Sequence, residues 1–308
     1  MNLPNFFILG APRCGTTALS RYISQHPQVC LSRPKESHYL LSAPNPDSDR
    51  VYLSSYLNQF FCHCNGKHKA IGEGSVTYLY SDTVIERILN INPDAKLIVM
   101  VRNPIDLLRS YHFRLLYVLQ EDRVDFYQAW QLQSRRSRGE CIPPTCRDPR
   151  LLQYAEVGKL GTRLERLFDI AGRDRCLTIV FDDFIEDPAT FYGKLCHFIG
   201  VEPDRRTAFK RRQESRTYRW YWLQRLLFAP PESAIAWATQ ESHCTLARQW
   251  TRLALLRLHR GLCWANGIPQ KPAPLQPQMR RQLQATFSEE VERLSDLLGR
   301  DLTNWIAG

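Results

Sequence analysis

Residues Gly10 to Thr17, with the sequence GAPRCGTT, have the spacing of a loop that binds phosphate. In such a loop, backbone N–H groups between the two glycines surround phosphate oxygens, and the next helix presents its positive end to the same anion. Loops that cleave nucleoside triphosphates place a lysine directly after the second glycine. Thr16 occupies that position here, so the sequence predicts a bound phosphate and argues against cleavage of a triphosphate.

A second anion site is predicted at Arg102, which ends the apolar segment KLIVMVR, and at Ser110, further along the same stretch. A guanidinium fork and a hydroxyl are suitable partners for a dianionic phosphate. The alternative is an arginine that only caps the end of a strand.

The segment RPKESHYL offers a general base. Glu36 and His38 stand two residues apart, so their side chains face the same way if the segment is extended. A carboxylate in that setting can take the proton of an acceptor hydroxyl, and Lys35 would line the same site. A solvated surface loop is the alternative. Glu73, in IGEGSVTYLY, is a second carboxylate. Three roles stay open for it: to support Glu36, to bind the acceptor, or to stabilise the fold only.

The elements that must position these residues alternate along the chain. Buried strands are predicted at Asn5–Leu9 and Lys96–Arg102, and a helical pattern follows each. This alternation predicts an α/β fold of the P-loop type, with three layers: a mainly parallel central sheet and flanking helices. Further strands are predicted at Lys69–Gly72 and Cys176–Phe181, and further helices at Ser81–Leu89, 104–120, Leu151–Phe168, Ala189–Ile199 and in a final segment that has Leu283 to Leu298 on one face.

The charge balance favours an anionic ligand. The chain has 41 Lys+Arg against 31 Asp+Glu, a formal net charge of +10, which suits a nucleotide, a polyanionic sugar, a nucleic acid or a membrane surface. Ten cysteines at irregular intervals in 308 residues fit free thiols in a reducing compartment, so we expect a cytoplasmic protein. The sequence predicts no targeting segment and no transmembrane segment.

Two other classes of protein stay open at this point. A small-molecule kinase of the P-loop type would have a similar first loop, but such kinases carry the lysine that this sequence lacks. A non-catalytic basic protein that binds nucleotide or nucleic acid would have a similar positive charge. We find no zinc-finger, RNA-recognition or helix-turn-helix pattern, so we expect no nucleic-acid partner. The segment FCHCNGKHK lacks a second paired ligand set, so we expect no metal. The oligomeric state stays open.

The two loops together resemble the nucleotide-binding motifs of sulfotransferases that use 3′-phosphoadenosine 5′-phosphosulfate (PAPS). Later segments, HFIGVEP and LSDLLGRDLTNW, are similar to family signatures as well. The resemblance implies transfer of a sulfuryl group from PAPS to a hydroxyl, less readily to an amine, with adenosine 3′,5′-bisphosphate as the product and no metal. It implies that Arg13 reaches the leaving group, where most members have lysine, that Cys14, Gly15, Thr16, Thr17 and Ala18 surround the 5′-phosphate, and that Arg102 and Ser110 bind the 3′-phosphate.

The segment RPKESHYL resembles the Glu-x-His-aromatic segment of the heparan sulfate 3-O-sulfotransferases, a group to which N-sulfotransferase domains and related bacterial enzymes are similar. By this resemblance Glu36 is the catalytic base, and His38 orients it or contacts the acceptor, a carbohydrate or another small molecule. Glu73 is similar to the glutamate of a Glu-Lys-x-x-x-Tyr strand near the acceptor. Gly74 stands where the heparan enzymes have lysine, so one cation of the acceptor site is missing.

We expect a single domain over residues 1–308, within which residues 205–270 form a variable helical region on the acceptor side. By resemblance, Arg211 or Arg212 in its basic run closes over the nucleotide. The aromatic segment RTYRWYWLQRLLF packs on the core or meets a membrane surface or an apolar acceptor.

Overall fold

The structure, a computed structural model, describes residues 3–42, 49–204, 206, 208–209, 215–230 and 258–307. The chain divides into two compact units. The first unit comprises Met1–Leu107, Val157–Arg212 and Arg280–Gly308, and the second comprises Leu108–Glu156 and Gln213–Met279. Arg211 and Arg212 lie outside the described residues.

The first unit is built on a parallel sheet of five strands. In chain order they are β1 (Phe6–Gly10), β2 (Val29–Leu31), β3 (Ala70–Glu73), β4 (Lys96–Val101) and β5 (Cys176–Val180), and their order in the sheet is β2-β3-β1-β4-β5. Every residue of β1 is buried, as is all of β4 after Lys96, which is typical of central strands covered on both faces. The predicted α/β fold with a mainly parallel sheet and flanking helices is confirmed.

Helices connect these strands. The one that ends the first unit, α12, buries Leu283, Phe287, Val291 and Leu294 on one face, as its spacing predicts,. The helices of the chain are α1 (Thr16–Ile23), α2 (Asp49–Phe61), α3 (Asp82–Ile91), α4 (Pro104–Tyr117), α5 (Phe126–Gln131), α6 (Gln133–Ser137), α7 (Tyr154–Gly158), α8 (Leu160–Ala171), α9 (Phe181–Glu186), α10 (Pro188–Phe198), α11 (Tyr221–Phe228) and α12 (Pro277–Leu298), with a further helical stretch at 258–266.

The structure corrects the sequence-based elements in several places. Strand β2 and helices α2, α5, α6 and α9 were not predicted. The region predicted as helical, residues 205–270, contains two short paired strands among its described residues. The single helix predicted over Leu151–Phe168 is wrong, because the backbone of Lys159 has ψ 60°, outside the helical range, and separates α7 from α8.

The second unit contains a buried ion pair. Arg136 donates to both carboxylate oxygens of Glu121 at 2.6 Å, and the Tyr154 hydroxyl donates to Glu121 at 2.7 Å. Burial alone would raise the pKa of Glu121, but these donors lower it to about 2. Burial also lowers the pKa of His112, whose Nδ1 lies 3.0 Å from the Tyr154 hydroxyl. The same unit holds two antiparallel strands, β6 (Arg216–Tyr218) and β7 (Gly267–Pro269).

One pair of cysteines departs from the expectation of free thiols. Cys30, in β2, forms a disulfide with Cys64, and their Cα atoms are 5.8 Å apart. The spacing of the ten cysteines contains no signal for this pair, because strand pairing of β2 with β3 and the turn after α2 bring the two residues together. Among the described residues, no helix is both long and apolar enough to cross a membrane.

Candidate active site

The predicted phosphate loop lies at the carboxyl end of β1 and leads into α1. The Ala11 N–H donates to the Met100 carbonyl oxygen at 2.8 Å, which ties the loop to the neighbouring strand β4. Gly15 caps α1 with φ 89°, so the N–H groups of Thr16 and Thr17 begin the helix with no acceptor in a preceding turn. These groups and the positive end of α1 can bind an anion.

Both glycines of the loop lie close to neighbouring residues. A Cβ on Gly10 would lie 3.0 Å from the Val76 carbonyl oxygen, and a Cβ on Gly15 would lie 3.1 Å from the Phe181 ring. Gly15 also has a left-handed backbone conformation that other residues rarely adopt,. Close packing at both positions and the backbone of Gly15 therefore favour glycine in this loop.

The remaining loop residues differ in what they present. The Cys14 side chain is completely buried, and this burial raises the pKa of its thiol to about 12 although Arg102 acts in the opposite direction. The thiol therefore stays neutral at ordinary pH, and its Sγ donates to the Pro12 carbonyl oxygen at 3.5 Å. The Ala18 N–H donates to the Gly15 carbonyl oxygen at 2.9 Å. Gly15, Thr16 and Thr17 thus carry the N–H groups best placed for an anion.

Arg102 follows β4 and lies against the phosphate loop. Its Nη1 donates to the Arg13 carbonyl oxygen at 3.3 Å, and its guanidinium lies 4.5 Å from the centre of the Phe181 ring. Its Nε is buried and has no hydrogen-bond partner among the described residues. A buried donor without a partner costs free energy, and an anion bound beside the loop would satisfy it. The donor set therefore fits a phosphate group.

The arrangement follows from the sheet. Strands β1 and β4 are adjacent and parallel, so the loop after β1 and the arginine after β4 meet at one edge. Ser110, the other residue predicted for the second phosphate, lies on α4 in the second unit. Its role at that phosphate stays a prediction.

The predicted base lies in an irregular segment beside β3. Lys35 Nζ donates to Glu36 Oε1 at 2.6 Å, and His38 Nε2 lies 3.9 Å from Glu36 Oε2, too far for a hydrogen bond,. The Glu36 and His38 side chains are 37% and 41% exposed. The structure therefore brings all three residues together with both functional groups accessible. The extended backbone assumed from the sequence is wrong, because Glu36 and His38 have φ values of 63° and 51°.

The residues after β3 hold this unusual backbone in place. The Glu36 N–H donates to the Gly74 carbonyl oxygen at 3.0 Å, and the His38 N–H donates to Ser75 Oγ at 3.1 Å. His38 Nδ1 lies 2.8 Å from Thr77 Oγ1, which fixes the ring. A Cβ on Gly74 would lie 3.3 Å from Lys35 Cε, so the Lys35 side chain passes over this glycine.

Glu73 lies beneath the segment instead of on its surface. The residue is completely buried, and its Oε1 accepts hydrogen bonds from Ser37 Oγ at 2.6 Å and Ser75 Oγ at 2.5 Å. Its Oε2 accepts from the Tyr56 hydroxyl. Ser37 stands between Glu36 and His38, so the buried carboxylate anchors the segment that carries the predicted base.

Two tyrosines complete this buried cluster. Burial, followed by the charge of Glu73, raises the pKa of Tyr56 and of Tyr78. Both therefore stay protonated at neutral pH, and the Tyr78 hydroxyl accepts a hydrogen bond from the Leu40 N–H at 3.1 Å.

Sequence reasoning missed the hydroxyl residues that contact Glu73 or hold His38. Ser75, Thr77 and Tyr78 follow Glu73 closely, and this run of hydroxyls after a carboxylate was an available signal. Ser37 and Tyr56 gave none, because their contact with Glu73 depends on the packing of distant segments.

A group of potential metal ligands is present among the described residues. The donor atoms of Cys30, His63 and Cys64 lie within 4.8 Å of one another. Both sulfurs belong to the disulfide, and His63 Nε2 donates to the Leu31 carbonyl oxygen at 3.0 Å. The disulfide form therefore has no thiolate at this position.

Comparison with known proteins agrees with these motifs. A family model described as a sulfotransferase domain matches residues 3–217. The human bifunctional heparan sulfate N-deacetylase/N-sulfotransferase 2 is 26% identical over 215 residues, which are 65% of this chain and 22% of that protein. Membrane-associated sulfotransferase kil1 of Dictyostelium discoideum is 30% identical over 117 residues, 38% of this chain and 24% of that protein. The chain thus spans about a quarter of the length of these curated relatives.

A solved sulfotransferase structure is similar to this chain over its whole length. The crystal structure of a sulfotransferase from Alicyclobacillus acidocaldarius superposes with a TM-score of 0.67 at 25% identity and covers 100% of both chains. Because the family model extends over residues 3–217, which include the phosphate loop, the segment of Glu36 and Arg102, the chain belongs to the sulfotransferase family.

Proposed function

We propose that this chain transfers a sulfuryl group from PAPS to a hydroxyl of a carbohydrate or another small acceptor, with Glu36 as the general base. An amine is the less favoured acceptor group. The products are the sulfated acceptor and adenosine 3′,5′-bisphosphate. We also propose that one domain, formed by residues 1–308, carries this activity.

The observation that carries the proposal is the meeting of Arg102 with the phosphate loop. The loop offers the N–H groups of Gly15, Thr16 and Thr17 at a helix N-terminus, and Arg102 contacts the loop backbone while its buried Nε has no partner among the described residues. A nucleotide with phosphates at both the 5′ and 3′ positions needs two such anion sites close together. We assign the 5′-phosphate to the loop, with Cys14 and Ala18 at its edges, and the 3′-phosphate to Arg102 and Ser110.

PAPS supplies an activated sulfuryl group, and the chain must orient it, stabilise charge on the leaving phosphate and remove a proton from the acceptor. Arg13 lies in the loop and remains protonated, so it stabilises the developing charge but does not readily donate a proton. No step in this scheme needs a metal.

We assign proton removal to Glu36. Lys35 Nζ binds Oε1 at 2.6 Å, and Oε2 is then the oxygen that takes the acceptor proton. His38, fixed by Thr77, faces Oε2 and can orient the acceptor hydroxyl. Lys35 passes over Gly74 and so supplies a cation where the heparan enzymes have lysine on the neighbouring strand.

A carbohydrate is the acceptor that we favour. The support is the similarity to a protein named as a heparan sulfate N-sulfotransferase, together with the net charge of +10, which suits an anionic glycan. Smaller hydroxyl compounds belong in the same screen.

The test is transfer of labelled sulfate from PAPS to a panel of glycans, simple sugars, lipids and phenols. Glu36→Gln should abolish turnover and leave binding of adenosine 3′,5′-bisphosphate unchanged, because the base does not hold the nucleotide. Glu165→Gln is the matched control, since Glu165 is also a half-exposed carboxylate in an ion pair, with Arg293, but has no assigned role. Transfer of labelled phosphate from ATP, or full activity of Glu36→Gln, would contradict the proposal.

A further inference from the structure

Large exposed apolar residues concentrate in one part of the second unit. Among the described residues, eleven large apolar side chains are exposed, and seven of them lie between residues 220 and 268. Isolated exposed apolar residues need no explanation, whereas a concentration of them marks an interaction surface. The seven are Trp220, Tyr221, Trp222, Leu226, Leu258, Trp264 and Ile268.

Helix α11 is held in a fixed orientation. Its Leu223 and Gln224 are buried, and Asn266 donates to Gln224 Oε1 at 2.9 Å and to the Trp220 carbonyl oxygen at 3.1 Å. The Trp220 N–H donates to Asn266 Oδ1 at 2.8 Å. Because the opposite face is anchored by these bonds, Trp222 is 66% exposed as a consequence of the fold.

The second segment is tied to the first by strand pairing. Tyr218 pairs with Gly267 and Thr217 with Ile268 in the two-stranded sheet of β6 and β7. Trp264, which is 65% exposed, lies three residues before Gly267, where this pairing begins. The aromatic residues that follow β6 and those that precede β7 therefore belong to one structural element, which we call the aromatic hairpin, residues 215–230 and 258–276.

The aromatic hairpin carries charge of one sign only. Its described residues include no aspartate or glutamate, and the Arg219 guanidinium lies 5.5 Å from the centre of the Trp220 ring. Arginine next to tryptophan is suited to an interface between water and lipid, because the apolar stem and ring enter the headgroup layer while the charge stays near phosphate. The cations of the aromatic hairpin are Arg216, Arg219, Arg225, Arg260 and Lys271.

We propose that the aromatic hairpin binds the surface of a membrane that contains anionic lipid. Tryptophan and tyrosine prefer the interfacial layer of a bilayer, and five cations without a carboxylate are attracted to its negative surface potential. A surface for a neutral apolar ligand would not need this excess of positive charge. This binding is independent of the nucleotide site in the first unit.

The test is co-sedimentation of the full chain with vesicles of phosphatidylcholine alone and of phosphatidylcholine with phosphatidylserine. The chain should bind the anionic vesicles, and high salt should weaken the binding because exposed charges are screened. The double variant Trp222→Ser, Leu226→Ser should lose about tenfold or more in vesicle affinity, and Arg225→Glu should weaken binding only to anionic vesicles.

Val124→Ser is the matched control, because Val124 is an apolar residue of the same unit and is 82% exposed. It should bind vesicles as the wild type does, and all variants should bind adenosine 3′,5′-bisphosphate equally if they are folded. Equal affinity for neutral and anionic vesicles, or full binding by the double variant, would overturn the proposal. The fluorescence of Trp222 in the absence of vesicles, obtained as the difference between the wild type and Trp222→Phe, should be quenched by acrylamide. If it is not quenched, another part of the chain covers Trp222 and the proposal is overturned.

Discussion

Replacing Glu73 by glutamine tests how the predicted base is held. The carboxylate is completely buried and accepts hydrogen bonds from Ser37 and Ser75 on one oxygen and from Tyr56 on the other. Glutamine has the same shape but only one acceptor oxygen. Its NH₂ group cannot accept a hydrogen bond, so at least one of the hydroxyl groups that donate to Glu73 loses its acceptor. Since a hydrogen bond to a charged group contributes about 1.5–3 kcal/mol, Glu73→Gln should lower the free energy of unfolding by about 2–3 kcal/mol.

Ser37→Ala separates stability from positioning. This change removes one donor to Glu73 and the acceptor for the Tyr39 N–H, which should cost about 1–2 kcal/mol of stability. It should also lower kcat about tenfold, because the segment of Glu36 loses its hydrogen bond to Glu73 and the proposed base is then less well oriented. KM for PAPS should be unchanged.

Urea denaturation and steady-state kinetics measure the two effects. Ser295→Ala is the matched control, because Ser295 Oγ also makes two hydrogen bonds, to the Val291 carbonyl oxygen and from the Leu302 N–H, away from the site. It should reduce stability without changing kcat. If Ser37→Ala keeps full kcat, or Glu73→Gln is as stable as the wild type, the anchoring role of Glu73 is refuted.

Two further changes test the loop and the second unit. Gly15→Ala should abolish binding of adenosine 3′,5′-bisphosphate, measured by calorimetry, whereas Gly139→Ala shares the positive φ but has no neighbour within 4 Å and should lose only stability. Arg136→Met leaves the buried Glu121 carboxylate unpaired and should cost about 3–5 kcal/mol in urea denaturation, while the double variant with Glu121→Gln should recover part of this. The pKa of Glu121 is held at about 2, below its ordinary 4.5. The stability that the ionised Glu121 contributes should therefore be complete above pH 4.5 and be lost progressively as the pH falls towards 2. Thermal unfolding at several pH values should show this loss in the wild type and not in the double variant.

The strand, loop and helix that form the predicted phosphate site could be recognised from sequence because their signals are local. The apolar run before Gly10, the glycine spacing and the helical pattern after it define strand, loop and helix within twenty residues or so. Arg102 ends the other strongly apolar strand, and parallel strands present their carboxyl ends at one edge. The pairing of β1 with β4 then brings the two signals together.

The contacts that hold the segment of Glu36 were not predictable, because they depend on residues far apart in the chain. Tyr56 reaches Glu73 from α2, a helix whose weak apolar pattern gave no prediction. The left-handed backbone of Glu36 and His38 is imposed by bonds from the segment after β3. Sequence spacing alone suggested an extended segment, so it did not predict the backbone conformation that the structure shows for these residues.

The most direct test of the account is the affinity for adenosine 3′,5′-bisphosphate compared with adenosine 5′-monophosphate, measured by calorimetry for the wild type and for Arg102→Ala. The wild type should prefer the bisphosphate strongly, because we assign the 3′-phosphate to Arg102 and the phosphate common to both ligands to the loop after β1. Arg102→Ala should lose this preference and keep its affinity for the monophosphate. Equal affinity of the wild type for the two nucleotides, or an unchanged preference in Arg102→Ala, would contradict the assignment of two phosphate sites to one nucleotide.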